Sequence, residues 1–242
     1  MNSPTVSRSF PRNRLLLPIL LVVAFSSLGA LVWSSNLYGR QSTPKSLTDT
    51  VEIVQSIPGE GATKIAFRNV SHKNINALQV SVSGAVFTVE FLDADEPKKR
   101  LPPGEVYQEW FPTTPAGGID VSVLAVVFDD KTGAGDSRLV QEVLETRRGV
   151  KKQLIRFGFL LKQSLASANI DATTLDKLNA ELDKSVEDNP SDSGAVRLGQ
   201  RKAKQQIRLD LDALKGQPSN GNIRNGLTRI EERHAKRLAE LQ

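Results

Sequence analysis

The sequence predicts an α+β chain with an N-terminal transmembrane helix, an antiparallel β-sandwich and a C-terminal region of about four α-helices. Three observations predict it. Residues 15–33 form an uncharged, mostly apolar run. Residues 49–130 alternate apolar and polar side chains with the period of two that a strand requires. From Asp136 onward the apolar residues recur every three or four positions, as they do along one face of a helix. Charge divides the chain at nearly the same places. Residues 1–46 carry 5 basic and no acidic side chains, residues 47–134 carry 7 and 12, and residues 135–242 carry 20 and 15. The middle block is therefore net −5 and the last block net +5, which marks them as separate units.

The first element is the apolar run. Its 19 residues reach about 28 Å as a helix at roughly 1.5 Å per residue, and a bilayer core is roughly 30 Å thick. Arg8, Arg12 and Arg14 precede it, so the positive-inside rule keeps a basic tail, 1–14, in the cytoplasm and places the rest outside. Trp33 and Tyr38 stand where interfacial aromatics anchor a helix. Ala24 and Ser26 also form an A-x-S pattern, so a signal peptide cleaved near Ser26, with a secreted product, is the alternative. Pro18 would kink the helix without forbidding it. Residues 34–48 (SSNLYGRQSTPKSLT) are polar and aperiodic and read as a linker.

Residues 49–134 read as the sandwich. A short strand is expected at 51–55. In 64–70 (KIAFRNV), Ile65, Phe67 and Asn69 share one face. After a polar turn at 71–74, the stretch 75–83 (INALQVSVS) sets Ala77, Gln79, Ser81 and Ser83 against Leu78, Val80 and Val82. Strands follow at 85–92 (AVFTVEFL), at 105–111 (EVYQEWF) after the charged loop 98–104, and at 119–128 (IDVSVLAVVF). The last alternates first and then becomes continuously apolar, as a central strand does.

Residues 135–242 read as helices. Asp136 is the expected N-cap of the first, which runs to about Ala168 with Val140, Val143, Leu144, Val150, Leu154, Phe157, Leu161 and Leu165 in line. Residues 154–161 (LIRFGFLL) are apolar on more than one side and are expected to lie buried. A second helix starts at Asp171 or Thr173 and stops by Asn189–Pro190. A third spans about 193–215, and a fourth runs from the break at 216–221 (GQPSNG) to the end.

The pieces Phe67-Arg68-Asn69-Val70-Ser71, Asn74-Ile75-Asn76-Ala77-Leu78 and Leu101-Pro102-Pro103-Gly104-Glu105 resemble small bacterial extracytoplasmic domains of immunoglobulin-like fold, of the FxLYD and CARDB kind. The resemblance covers about a third of the chain. It implies an immunoglobulin-like β-sandwich used as a binding or spacing module, and it lends no catalytic residues.

Several clusters carry chemistry worth testing. Asp129, Asp130 and Asp136 bracket a glycine loop that could hold Ca²⁺, but the spacing is not an EF-hand, Lys131 intrudes, and a capping turn explains it as well. Asp93, Asp95 and Glu96 form an acidic loop answered by Lys98, Lys99 and Arg100. Arg147, Arg148, Lys151, Lys152 and Arg156 cluster on the first helix, and Arg197, Arg201, Lys202, Lys204 and Arg208 on the third. Acids nearby can pair with them at helical spacing. His72 falls in a turn and His234 on the apolar line of the last helix. Asn69-Val70-Ser71 fits a glycosylation sequon, for which turn chemistry is the better account. With no cysteine there is no disulfide and no thiolate site, and no nucleotide-binding, esterase or zinc-protease motif is present.

The expectation is therefore a non-catalytic envelope protein of a bacterial cytoplasmic membrane. It would be held through residues 15–33, with no catalytic, cofactor-binding or metal residues, no cofactor, no nucleic acid and no identified small-molecule substrate. Its partner would be a protein of unknown identity. An envelope polyanion or lipid-headgroup binder using the basic helix faces, and an enzyme of unrecognised type, are the alternatives.

Overall fold

The structure, a computed structural model, describes residues 45–59, 61–91, 100–112, 119–184, 189–215 and 220–241. The expected tail, anchor and cleavage site, and most of the linker, lie outside them. Among the described residues no helix is long and apolar enough to cross a membrane.

Among the described residues the fold is α+β, with two antiparallel sheets followed by four helices. The strands are β1 (Lys45–Ser46), β2 (Val51–Pro58), β3 (Ala62–Asn69), β4 (Ile75–Val82), β5 (Ala85–Glu90), β6 (Val106–Pro112), β7 (Val121–Phe128) and β8 (Gly133–Gly135). One sheet has the order β2-β3-β6. The other has β1-β7-β4-β5, with β8 also on β7. Two of the strands are not legible in the sequence. Lys45 and Ser46, at the end of the expected linker, pair in parallel with Ser122 and Val123. The glycine turn at 133–135 pairs with 125–127.

The sheets share one core. Val51, Ile65, Phe67 and Phe111 from the first meet Leu78, Val80, Val89, Val121, Val123 and Val126 from the second. The expected face of Ile65, Phe67 and Asn69 is fully buried. Each fully buried large apolar side chain stabilises the fold by roughly 1.5–3 kcal/mol. Between β4 and β7 the register slips twice, at Ile75/Ala77 and at Gln79/Val80. The second slip adds a residue to β7, so Val123 and Val126 both reach the core while Ala125 and Val127 face the other way. That bulge is why the period of two is lost along β7. The β4–β5 hairpin closes on Ser83 and Gly84, whose φ angles of 51° and 85° fit a two-residue mirror-image turn.

The helices are α1 (Ser137–Leu165), α2 (Ala172–Asp183), α3 (Gly194–Lys215) and α4 (Asn220–Glu240). Asp136 caps α1 as expected, accepting from the N–H groups of Arg138 and Leu139. Asp171 caps α2 and forms a reciprocal box with Thr174. The Arg224 guanidinium donates to the carbonyls of Leu165 (3.0 Å) and Ser167 (2.7 Å), satisfying groups that the end of α1 leaves open.

Helix α1 belongs to both halves of the molecule. Its first turns cover the outer face of the β4/β7 sheet, where Val140, Val143 and Leu144 pack on Ala77 and Val127. This cover explains why β4 is buried on both faces although its sequence alternates. Its later turns build a second core. There Leu154, Phe157 and Leu161 meet Leu175, Leu178 and Leu182 of α2, Ile207 and Leu211 of α3, and Leu227 of α4. The stretch 154–161 is not buried throughout, contrary to what its composition suggests: Ile155 is 55% and Phe159 64% exposed. The physical reason is that neighbours cover only one side of α1. Helix α1 crosses α3 backbone to backbone. A Cβ placed on Gly149 would lie 2.0 Å from the Val196 carbonyl oxygen, and one on Gly199 would lie 1.9 Å from that of Thr146.

Candidate binding surface

Strands β5 and β6 are the outer strands of their two sheets, and among the described residues no strand pairs with their free edges. A groove of about 300 Å³ opens between them. Alternation along β5 turns Phe87 and Val89 inward. On β6 it turns Tyr107, Glu109 and Phe111 inward, opposite Phe67, Ile65 and Thr63 of β3. The rings interlock edge to face: Phe87 with Phe111 at 5.4 Å, Phe111 with Phe67 at 6.0 Å and Phe91 with Tyr107 at 4.8 Å. Glu109 is the exception in this apolar row. Its carboxylate is held inside the groove by the Tyr107 hydroxyl, which donates to it, and by the Trp110 backbone N–H at 2.9 Å. Trp110 stands at the outer rim, 55% exposed, with the Lys64 ammonium 6.0 Å from its ring centre. The opening can accept an extended apolar segment along β6, with one carboxylate available to a donor. An inward-pointing charge on an edge strand also discourages self-pairing.

The residues singled out from sequence mostly serve the fold. Asp130 accepts from the Lys73 ammonium (2.7 Å) and from the Thr132 N–H (3.0 Å), bonds that hold its carboxyl down to about 2. Asp129 accepts from Asn74 Nδ2 at 2.9 Å and from Arg100 at 3.4 Å. Asp136 caps α1, so the three carboxylates do not converge. Among the described residues no cluster of three His, Asp or Glu could hold a metal ion. Asp93, Asp95, Glu96, Lys98 and Lys99 lie outside the described residues.

The basic cluster on α1 is divided by task. Arg147, 11% exposed, turns inward and donates to Glu90 Oε2 (2.7 Å), to Asn76 Oδ1 (2.9 Å) and to the Asn76 carbonyl (3.1 Å). It thereby clamps α1 onto the first bulge of β4. Lys152 pairs with Asp192, whose pKa is lowered first by that bond. Arg148 and Arg156 stay on the surface. On α3, Arg197 donates to the Asp192 carbonyl (3.0 Å), Arg208 pairs with Asp183, and Arg201 and Lys202 are exposed. The two clusters meet at Asp192, which takes the Lys152 ammonium on its carboxylate and the Arg197 guanidinium on its carbonyl.

His72 is exposed in its turn. His234 is buried against the edge of Phe157 at 5.8 Å, with Nε2 3.7 Å from Asp210 Oδ2. Asn69 is fully buried. Its amide donates to the carbonyls of Lys73 (2.8 Å) and Leu101 (2.7 Å), and its oxygen accepts from the Ser71 N–H (2.9 Å). Its own carbonyl accepts from the Gly104 N–H at 2.7 Å. The Asn69–Ser71 and Leu101–Gly104 pieces thus meet at one corner, and no sugar can reach Asn69 in this fold.

Sequence reasoning missed Arg147 as a clamp and Glu109 as a held carboxylate. The second had a signal: a lone acid in the inward register of an otherwise apolar strand. Comparison with protein-family models, with curated proteins and with solved structures found no match.

Proposed function

We propose that this chain is a non-catalytic envelope protein, anchored in a bacterial cytoplasmic membrane by residues 15–33. Its immunoglobulin-like sandwich and helical region form an extracytoplasmic binding or scaffolding module that acts through protein–protein contacts. The strand orders β2-β3-β6 and β5-β4-β7-β8 support the immunoglobulin-like reading, because they follow the A-B-E and C′-C-F-G orders of such sandwiches. The observation that carries the functional reading is the β5/β6 groove, which joins two free edges, an aromatic floor and an exposed tryptophan rim. An added strand gains backbone hydrogen bonds from such an edge and side-chain specificity from the groove. Glu109 favours a segment with a lysine, arginine or hydroxyl at the inward position.

A photo-crosslinking residue at Gln108, which points outward on β6, tests this in intact cells. One discrete adduct is expected, and Trp110→Ala should reduce it at least about tenfold, since a buried interface tryptophan is commonly worth about 2 kcal/mol or more. An adduct unchanged by Trp110→Ala removes the groove from the contact. The outward face of α1 favours a second reading, contact with lipid headgroups.

A further inference from the structure

Helix α1 carries a second surface, independent of the groove. From Arg147 to Gln163 it holds six cations, Arg147, Arg148, Lys151, Lys152, Arg156 and Lys162, and no acid. At 3.6 residues per turn, Arg148, Lys152, Ile155, Phe159 and Lys162 fall on one strip. This strip lies opposite the buried Val150, Leu154, Phe157 and Leu161. Phe159 is 64% exposed, more than any other large apolar side chain among the described residues, and Ile155, one turn away, is 55% exposed. Arg148, Arg156 and Lys162 surround the pair from exposed positions.

Singly exposed apolar residues are ordinary on a protein surface, Leu209 at 57% among them; here two lie one turn apart on the same strip. An aromatic and a branched aliphatic residue ringed by cations is the pattern of a helix lying in a membrane interface. There the apolar pair enters the acyl boundary and the cations meet phosphates. The ring stays net basic: Arg148, Lys152, Arg156 and Lys162 outnumber the two nearby acids, Asp192, which pairs with Lys152, and Glu145 on α1 itself, both of which also act on Arg148. Packing of α1 on α3 and on the sheet presents the pair preformed, so docking costs little ordering.

We infer that the outward face of α1 docks on an anionic phospholipid bilayer through Ile155 and Phe159, with Arg148, Arg156 and Lys162 on the headgroups. The proposed anchor would raise the effective concentration of lipid at this face, but the inference does not require it.

The chain has no cysteine, so the full chain with Gln163→Cys can be labelled at one place with an environment-sensitive fluorophore. It is reconstituted with phosphatidylcholine vesicles, alone or with phosphatidylglycerol, each carrying a lipid-borne quencher. Quenching is expected only with phosphatidylglycerol. It should weaken as salt rises from about 0.1 to about 0.5 M. Ile155→Ser combined with Phe159→Ser should reduce it at least about tenfold at unchanged melting temperature, because both side chains are already in water. Equal quenching in pure phosphatidylcholine, or none with phosphatidylglycerol, overturns the inference. So does a signal that follows protein concentration in lipid-free detergent, which would make a second copy the occupant. Flotation with pure phosphatidylcholine reports the anchor separately. A chain that floats there without anionic quenching keeps the anchor and loses this inference. A chain that does not float, yet is quenched by phosphatidylglycerol vesicles, does the reverse.

Discussion

The sandwich core and the helical core are held together by different means. In the sandwich, residues far apart in sequence meet through rings: Phe67, Phe87 and Phe111 form one edge-to-face chain, and Phe91 and Tyr107 a second pair. Its specificity lies in which side chains are present and in the strand register that brings them together. The helical core is mainly leucine and isoleucine around Phe157, and its tightest contact involves no side chain, because α1 and α3 touch where Gly149 and Gly199 leave room. Its specificity lies in what is missing at two positions. The sandwich core fails when a ring is removed; the helical core fails in that way at Phe157, and also when a group is added at Gly149 or Gly199.

The largest expected effect tests whether the two cores are one cooperative unit. Phe67→Ala and Phe157→Ala each empty a fully buried site, and each should cost about 3–5 kcal/mol. Helix α1 packs into both cores, and Arg147 clamps it to β4 and β5. Either variant should therefore lower a single transition, seen alike by Trp110 fluorescence in a Trp33→Phe background and by helical circular dichroism. Two transitions that separate in the Phe157→Ala protein would break the coupling and leave two independent domains.

The next effect is smaller and specific to the helical core. Gly149→Ala and Gly199→Ala should each cost about 1–3 kcal/mol, because the added methyl meets backbone that cannot step aside. Alanine's better helix propensity, about 1 kcal/mol, offsets only part of this. Gly158 is the control. It lies on the same helix, and nothing stands within 4 Å of the place a methyl would take there, so Gly158→Ala should stabilise by up to about 1 kcal/mol. Chemical denaturation of the three variants decides the point, and a Gly149→Ala protein as stable as Gly158→Ala would refute the close crossing.

These contrasts also explain what is legible in the sequence. Periodicity reveals β3, β4, β6 and the four helices, and the caps Asp136 and Asp171 are readable because capping is local chemistry. What stays hidden depends on partners distant in the chain. The bulge that turns both Val123 and Val126 inward exists only against β4, and β1 and β8 are strands only because β7 offers them an edge. Gly149 and Gly199 look like helix weaknesses until the two helices are set side by side. Along 154–161, composition indicates burial, but it cannot show that neighbours cover only one side and leave Ile155 and Phe159 in water. The groove is half legible: a sandwich implies free edges, while the aromatic floor and Glu109 emerge from register.

The smallest effect separates surface electrostatics from burial. Asp130, on the sandwich side, is half exposed and titrates at about 2 because Lys73 and Thr132 hydrogen-bond its charged form. Asp210, on the helical side, is 9% exposed. Burial pushes its pKa up, but the His234 imidazole 3.7 Å away and the Arg233 guanidinium at 2.8 Å outweigh burial and hold it below the usual aspartate value. Both folded-state values are depressed, so the unfolded chain takes up protons first as the pH falls. The stabilisation from each group is complete above the ordinary aspartate pKa and is lost as pH drops through the lowered one. Screening by water makes the Asp130 share slight, whereas Asp210 is held in the core. Lys73→Met should therefore raise the Asp130 pKa only part of the way from about 2 toward the ordinary 3.8, because Thr132 still bonds its charged form, in a carboxyl NMR titration, with almost no change in acid stability. Asp210→Asn should flatten the acid limb of the melting curve much more. If Lys73→Met flattened that limb as strongly as Asp210→Asn, the acid sensitivity would belong to the sandwich surface, and the contrast between the two halves would be reversed.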